Sequence, residues 1–339
     1  MEAHKIKISI VIINWNGKKW LEDFLPKIQE YSSDDVVTVV VDNKSTDDSI
    51  SFIKNNYPKI KIIENDSNYG YAKGYNLSLK KIESKYYILL NSDIEVTKNW
   101  IEPIIKLMDE DEKIAACQPK ILDYYNRNKF EYAGGSGGFI DKFGYPLCRG
   151  RIFDDIEIDS YQYEDAREIF WASGACLFIR ASKFWEVNGF DNDFFAHQEE
   201  IDLCWRLKNN GYKIMVEPNS IVYHVGGGTL KVGSPLKTYL NFRNNLCTIF
   251  KNSSFKSLIF IIPTRLILDG LASIVFIFKS NGIKHFYSIF RSHIYFYMNL
   301  PKLIIKRKRL NQKEILEGKL NSSIIYKNKI LKIKKFSEL

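Results

Sequence analysis

The chain reads as an α/β protein with a mostly parallel central sheet, extended at its C-terminal end by apolar, basic helices. Three observations predict this. Short runs of β-branched and aromatic residues recur with almost no polar interruption, the pattern of strands buried on both faces. Segments with helical spacing, roughly ten to fifteen residues long, alternate with those runs and supply the crossovers that parallel strands need. Finally, the first, second and fourth runs stop on Asn14, on Asp42 and on the triplet Asn91, Ser92, Asp93. Polar groups therefore gather at the sheet edge where open α/β folds bind ligands.

Residues 6–13 (IKISIVII) form the first strand, and 14–17 turn the chain. Residues 1–13 lack a long apolar core and a small-residue cleavage site, so they are expected to be strand and not a secretory signal. Trp20, Leu21, Phe24, Leu25 and Ile28 fall on one face of a helix over 18–31. A second strand spans 36–41, and Thr46 or Asp47 caps a short helix reaching residue 56. A strand over 60–64, a helix over 71–82 and a strand over 86–90 follow, then a helix over 100–108 and a strand over 114–118. The glycine-rich stretch 133–151 is expected to be a mobile loop or a hairpin over the site. Residues 170–180 read as one strand, 181–187 as a helix and 201–210 as a helix stopped by Gly211. Strands over 213–217 and 220–224 complete the series.

A chain of 339 residues can bury a large core, here assigned to a domain over 1–245 with an appendage over 246–339. Five scattered cysteines, with no CxxC pair, argue against a disulfide framework or structural zinc and for a reducing, cytoplasmic location. The net charge of +9 is uneven: residues 251–339 carry 18 Lys and Arg against 4 Asp and Glu, while the rest is net acidic. Apolar residues woven through this basic tail favour an anionic membrane surface over nucleic acid as its partner. Oxygen-bearing side chains closing the fourth strand suit a hard divalent cation, Mg²⁺ or Mn²⁺, which can hold a diphosphate.

Seven motifs occur in order: VIINWNG (11–17), VDNKSTDDS (41–49), NDSNYGYAKGYN (65–76), LLNSD (89–93), WASGA (171–175), NGFDNDFF (188–195) and QEEIDLCWRLKNNGY (198–212). Across about residues 6–245 the series resembles the inverting glycosyltransferases of family 2, with the GT-A nucleotide-diphospho-sugar transferase fold. Within that family it is similar to rhamnosyltransferase-like enzymes of bacterial polysaccharide assembly. The resemblance implies transfer of a sugar from a dTDP- or UDP-sugar to a glycan or lipid-linked acceptor. It implies that Asn14, Trp15 and Asp42 line the base pocket, and that Gly70, Gly74 and Asn76 let backbone approach the donor. Asn91 and Asp93 then occupy the metal motif usually written DxD, and His224 completes the metal shell. Asparagine in the first position removes a negative charge and leaves Asp93 as the main ligand. Trp171, Ser173 and Gly174 would shape the sugar and acceptor side, with Asp191 of the GFD turn positioning the acidic cluster. In that cluster Glu200, where the family usually has Asp, is the general base, flanked by Glu199. Three acids within four residues raise one another's pKa, although Asp202 is expected to pair with Arg206 one turn on.

Residues 258–278 approach the length of a membrane span, but Pro263, Arg265, Asp269 and Gly270 interrupt them. Each central charge costs roughly 2.5–3.5 kcal/mol on insertion, even if Arg265 and Asp269 pair across a turn. Helices lying against the inner face of the cell membrane, with basic residues of 302–310 toward headgroups, are therefore expected. The alternative is a soluble extension that packs on the catalytic domain or forms a homodimer. Two other functions compete. A dinucleotide-dependent oxidoreductase lacks its GxGxxG turn, since NWNG stands there. A catalytically silent, membrane-attached carbohydrate-binding protein is the other, kept open by Asn91 and Glu200.

Overall fold

The computed structural model describes residues 7–33, 35–226, 233–278, 280–314 and 316–339. The start of the expected first strand, at residue 6, and the glycines at 227 and 228 lie outside the described residues. Crossovers connect the first four apolar runs: β1 (Ile8–Asn14), α1 (Lys18–Glu30), β2 (Val36–Asp42), α2 (Ser49–Asn56), β3 (Lys61–Glu64), α3 (Gly70–Leu79) and β4 (Tyr86–Asn91). Leu21, Phe24, Leu25 and Ile28 are the buried face of α1, as their spacing predicts. Next come β5 (Ile94–Val96), α4 (Glu102–Glu110) and β6 (Ile114–Asp123). Four short strands, β7 (Gly138–Ile140), β8 (Pro146–Cys148), β9 (Arg151–Ile152) and β10 (Asp155–Ile156), form a small antiparallel sheet of their own. The chain returns to the large sheet through β11 (Arg167–Ile169), β12 (Cys176–Arg180), α5 (Ala181–Glu186), α6 (Glu199–Asn209) and β13 (Lys213–His224).

The large sheet has the order β11-β13-β6-β12-β4-β1-β2-β3, with β5 also on β13. Strands β1, β2, β3 and β4 are mutually parallel, and β13 is parallel to β6. Because β12 runs antiparallel to both β4 and β6, its first residue lies beside the last residues of β4. One sheet edge thus collects the ends of β1, β2, β4 and β13 and the loop entering β12.

Two expectations change, and one open alternative is decided. Residues 170–180 are not one strand: β11 pairs with β13 and β12 with β4, so 170–175 must cross between them as a loop. The strands expected at 213–217 and 220–224 are one, β13, whose register shifts between Glu217 and Ile221. The glycine-rich stretch takes the hairpin alternative of its two readings, with β7 and β8 paired antiparallel. It is a buried hairpin, and a Cβ on Gly138 would lie 2.2 Å from the Trp171 indole, so only glycine admits that ring.

The C-terminal helices are α7 (Pro235–Asn252), α8 (Phe255–Ile277), α9 (Gly282–Met298) and α10 (Leu300–Lys308). Residue 245, the expected domain boundary, falls inside α7, and the extension packs on the catalytic domain. Arg265 and Asp269 do pair, at 3.1 Å, and both are buried: Arg265 also donates to the Phe143 carbonyl at 3.2 Å, and Tyr145 donates to Asp269 at 2.9 Å. The last residues return to the small sheet, where the Phe336 and Phe139 rings lie 4.6 Å apart. The opposite side of α8 and α9 exposes Phe260, Ile267, Leu271, Val275, Tyr287 and Phe290.

Candidate active site

One end of the candidate site follows from the parallel register, which sets Asn14 level with Asp42. The Asn14 amide donates to the Asp42 carboxylate at 2.9 Å and to Ser45 Oγ at 3.1 Å, while the Ser45 amide donates to Asp42 at 2.8 Å. Asn16 Oδ1 accepts from the Thr46 amide at 2.7 Å, so the turns after β1 and β2 are zipped together. Asp42 is nearly buried and serves this turn, whereas Trp15 is 44% exposed. The Asn14 side-chain oxygen is buried with no partner among the described residues, an acceptor left over at the strand edge. Asn43, which its motif does not single out, ties β2 to α3 by donating to the Gly70 carbonyl at 2.9 Å. Gly70 itself has φ +69°, and a Cβ there would lie 2.3 Å from the Phe195 carbonyl oxygen. That oxygen accepts from the Tyr71 amide at 2.8 Å, which locks the start of α3 to the loop before α6.

At the other end of the edge stands a carboxylate, histidine, carboxylate series. His224 closes β13 with Nε2 3.2 Å from Asp93 Oδ1 and Nδ1 3.3 Å from Glu131 Oε1. All three side chains are buried. Burial disfavours the imidazolium, but the two carboxylates outweigh it and hold the histidine well above its ordinary pKa. Glu131 sits in an irregular segment where no periodicity or motif marks it; only the fold brings it to the strand edge.

A divalent cation fits this pair. Octahedral ligands at about 2.1 Å sit about 3 Å apart, close to the separation of the Asp93 and His224 atoms. Among the described residues no three His, Cys, Asp or Glu side chains form a metal cage. Asp93 and His224 would supply two of such a cation's ligands, fewer than Mg²⁺ or Mn²⁺ takes from protein and substrate together.

The acidic cluster occupies the first turn of α6, which begins two residues earlier than the helix expected at 201–210. His197 and Gln198 precede it with φ of 69° and 71°, left-handed conformations that cost non-glycine residues about 1–2 kcal/mol each. Asn244 of α7 donates to the His197 carbonyl at 2.7 Å, and Asn245 donates to Gln198 at 3.0 Å, so α7 holds the strained pair. Glu199 is buried, and one of its oxygens has no partner among the described residues. Burial, then the neighbouring Glu200, push Glu199 well above its usual value. Glu200 is half-buried, and burial lifts it to about 7 against the pull of the helix-start amides. Gly174 faces Glu200: a Cβ added there would lie 3.7 Å from Glu200 Cβ. The Gly174 carbonyl accepts from Tyr71 at 2.6 Å, and the next residue, Ala175, accepts from the Asn91 amide at 2.9 Å. The loop over 174–175 thereby links Glu200 to the end of β4.

Five expected site residues have partners within the protein. Trp171 is core: its ring lies under Gly138 and donates to the Phe139 carbonyl at 2.8 Å. Ser173 is buried, bonded to Gln118 and Ala175. Gly74 packs α3 on β1, since a Cβ there would lie 2.8 Å from the Ile13 side chain. Asn76 spends its amide on the turn ahead of α6, donating to the Phe190 carbonyl at 2.8 Å and accepting from the Phe190 amide at 3.0 Å. Asp191 binds Lys251 at 2.5 Å and also Lys306, so it anchors the C-terminal helices. Burial would raise it, but the two ammonium groups hold it far below the usual carboxylate range. Asp202 pairs with Arg206 at 2.9 Å, as its spacing predicts, and with Lys251 at 2.8 Å.

Known proteins resemble this chain over most of its length. It is 23% identical over 232 residues to the N-acetylglucosaminyl-diphospho-decaprenol L-rhamnosyltransferase of Mycobacterium tuberculosis, covering 64% of this chain and 75% of that protein. It is 25% identical over 217 residues to the rhamnosyltransferase WbbL of Escherichia coli, covering 58% and 76%. The crystal structure of GalNAc-T7 with UDP, GalNAc and Mn²⁺ superposes with a TM-score of 0.60 at 16% identity, over 89% of this chain and 59% of that one. The shared architecture is the GT-A glycosyltransferase fold. Residues 9–187, more than half of the chain, match the family described as glycosyl transferase family 2, and the protein belongs to that family.

Proposed function

We propose that the chain is an inverting glycosyltransferase that moves a sugar, rhamnose in the first instance, from a dTDP- or UDP-linked donor to a hydroxyl of a lipid-linked or glycan acceptor. One observation carries the reading. Glu200, a carboxylate lifted to about 7, stands over Gly174 beside the strand edge that bears Asn91 and Asp93. A base poised near neutral pH next to a cation-competent diphosphate site is what displacement by a hydroxyl requires. The Mycobacterium tuberculosis relative's name supports rhamnose and a polyprenyl-diphosphate acceptor.

In this reading Trp15, Asn14 and Asp42 receive the base, with the unpartnered Asn14 oxygen offering an acceptor to its N–H. Asp93 and His224 would hold a divalent cation, which when bound would supply positive charge against that of a diphosphate leaving group. Glu200 takes the proton of the acceptor hydroxyl as its oxygen bonds to the anomeric carbon. The bond from that carbon to the diphosphate oxygen breaks, and its electron pair leaves with the nucleoside diphosphate. One in-line displacement inverts the anomeric centre, and no enzyme nucleophile is needed.

The C-terminal helices serve the acceptor. α8 is long and apolar enough to cross a membrane, but its Arg265 and Asp269 face is fastened to the catalytic domain. The helix therefore lies along the domain with its apolar side outward. Exposed Lys256, Lys284 and Arg291 suit anionic headgroups at the cytoplasmic leaflet. A donor panel of radiolabelled dTDP- and UDP-sugars, with membrane extract as acceptor and Mn²⁺ or Mg²⁺ present, tests the whole reading. Metal-dependent transfer of label into the lipid fraction is expected. Binding of sugars without transfer from any donor would favour a silent binding protein.

A further inference from the structure

We propose that Glu131 is a positioning residue for the cation site: it accepts the Nδ1–H of His224 and so presents the Nε2 lone pair to a divalent ion beside Asp93. The inference rests on the reading of Asp93 and His224 as metal ligands, and it goes beyond that reading, which gives Glu131 no part.

The geometry points one way. Glu131 Oε1 lies 3.3 Å from His224 Nδ1, on the opposite side of the ring from Asp93. Nδ1 is buried and makes no fully aligned hydrogen bond, so Glu131 is the acceptor within reach once the ring turns slightly toward it. The other Glu131 oxygen accepts from the Ala133 amide at 2.5 Å, which fixes the carboxylate in place. A Cβ on Gly226 would come 3.2 Å from Glu131 Oε1, so the backbone after His224 closes over the pair. A neutral imidazole can carry its proton on either nitrogen, and only the Nδ1–H form leaves Nε2 free to bind a metal. A buried carboxylate on Nδ1 selects that form and makes Nε2 a better donor. A residue at 131 without an acceptor would leave the choice of tautomer to the cation alone.

The test is Mn²⁺ binding to the whole chain, followed by electron paramagnetic resonance of free and bound ion. Pulsed ¹⁴N modulation reads imidazole coordination, and thermal unfolding checks the fold. Glu131→Ala is expected to weaken Mn²⁺ binding about 10- to 100-fold and to reduce the ¹⁴N modulation, with the unfolding temperature little changed. Glu131→Gln keeps an oxygen acceptor and should restore the modulation, with affinity about threefold below wild type. Should the alanine variant not fold, the glutamine variant decides, and wild-type affinity there overturns the proposal. Glu131→Ala with wild-type affinity and modulation overturns it as well. His224→Ala separates the two claims. If it loses Mn²⁺ while Glu131→Ala does not, only the role of Glu131 falls; if it too binds normally, the histidine is no ligand and both fall.

Discussion

Replacing Glu200 by Gln removes a carboxylate while preserving its shape, and the structure sets the size of the effect. The side chain is half-buried at the start of α6, and burial raises its pKa to about 7. A general base positioned near the operating pH contributes about 10²–10⁴ in rate. The Gln variant should therefore lose that much in kcat, with donor KM changed by less than about threefold, because the nucleotide is held elsewhere. The pH profile supplies a second signature. The base works ionised, so wild-type kcat/KM should fall about tenfold for each pH unit below about 7, and the variant should lose that limb. Stability moves in the opposite sense. A carboxyl raised from 4.5 to about 7 binds more protons folded than unfolded between those values. Its contribution is fully present below the lower value and is lost as pH rises through the upper one. Glu200→Gln should flatten that slope in a thermal melt measured across pH. Turnover within a factor of about three of wild type, with the acid limb intact, would refute the assignment of Glu200.

Other perturbations probe the surrounding structure. Asp93→Asn should weaken Mn²⁺-dependent binding of UDP or dTDP at least about tenfold by titration calorimetry, while metal-free binding changes little. Lys251→Met breaks the buried bridge between Asp191 and Asp202. It should cost about 3–5 kcal/mol in chemical denaturation, since two carboxylates lose a partner in the interior. Gly70→Ala forces a side chain into a φ of +69° against the Phe195 carbonyl, so lowered stability and slower turnover are expected together. Phe260→Glu with Ile267→Glu on the exposed side of α8 should abolish co-sedimentation with anionic vesicles while leaving the melting temperature unchanged.

Much of the fold was legible in the sequence for a definite reason. Buried parallel strands carry uninterrupted apolar runs, and their polar terminators, Asn14, Asp42 and Asp93, mark the edge of the candidate site through residue pattern alone. Periodicity likewise exposed α1, and helical spacing exposed the Asp202 and Arg206 pair. What failed was non-local. Trp171 looks like a sugar platform, but a glycine 33 positions earlier makes room for its ring in the core. Asp191 is expected to position the acidic cluster, and the partners through which it is held, Lys251 and Lys306, lie on α7 and α10, far along the chain, where no local pattern marks them. Glu131 carries no signal, since its partner is a histidine at the end of β13. The expected boundary at 245 falls inside α7, whose Asn244 and Asn245 hold the strained turn that leads into Glu200.

Diffraction at the manganese absorption edge, from crystals grown with Mn²⁺ and a non-transferable UDP- or dTDP-sugar, reaches the central claim most directly. An anomalous peak within bonding distance of both Asp93 and His224, with the Glu200 carboxylate across the anomeric carbon from the diphosphate, is the expected result. Manganese bound elsewhere, or Glu200 turned away from the sugar, would contradict it.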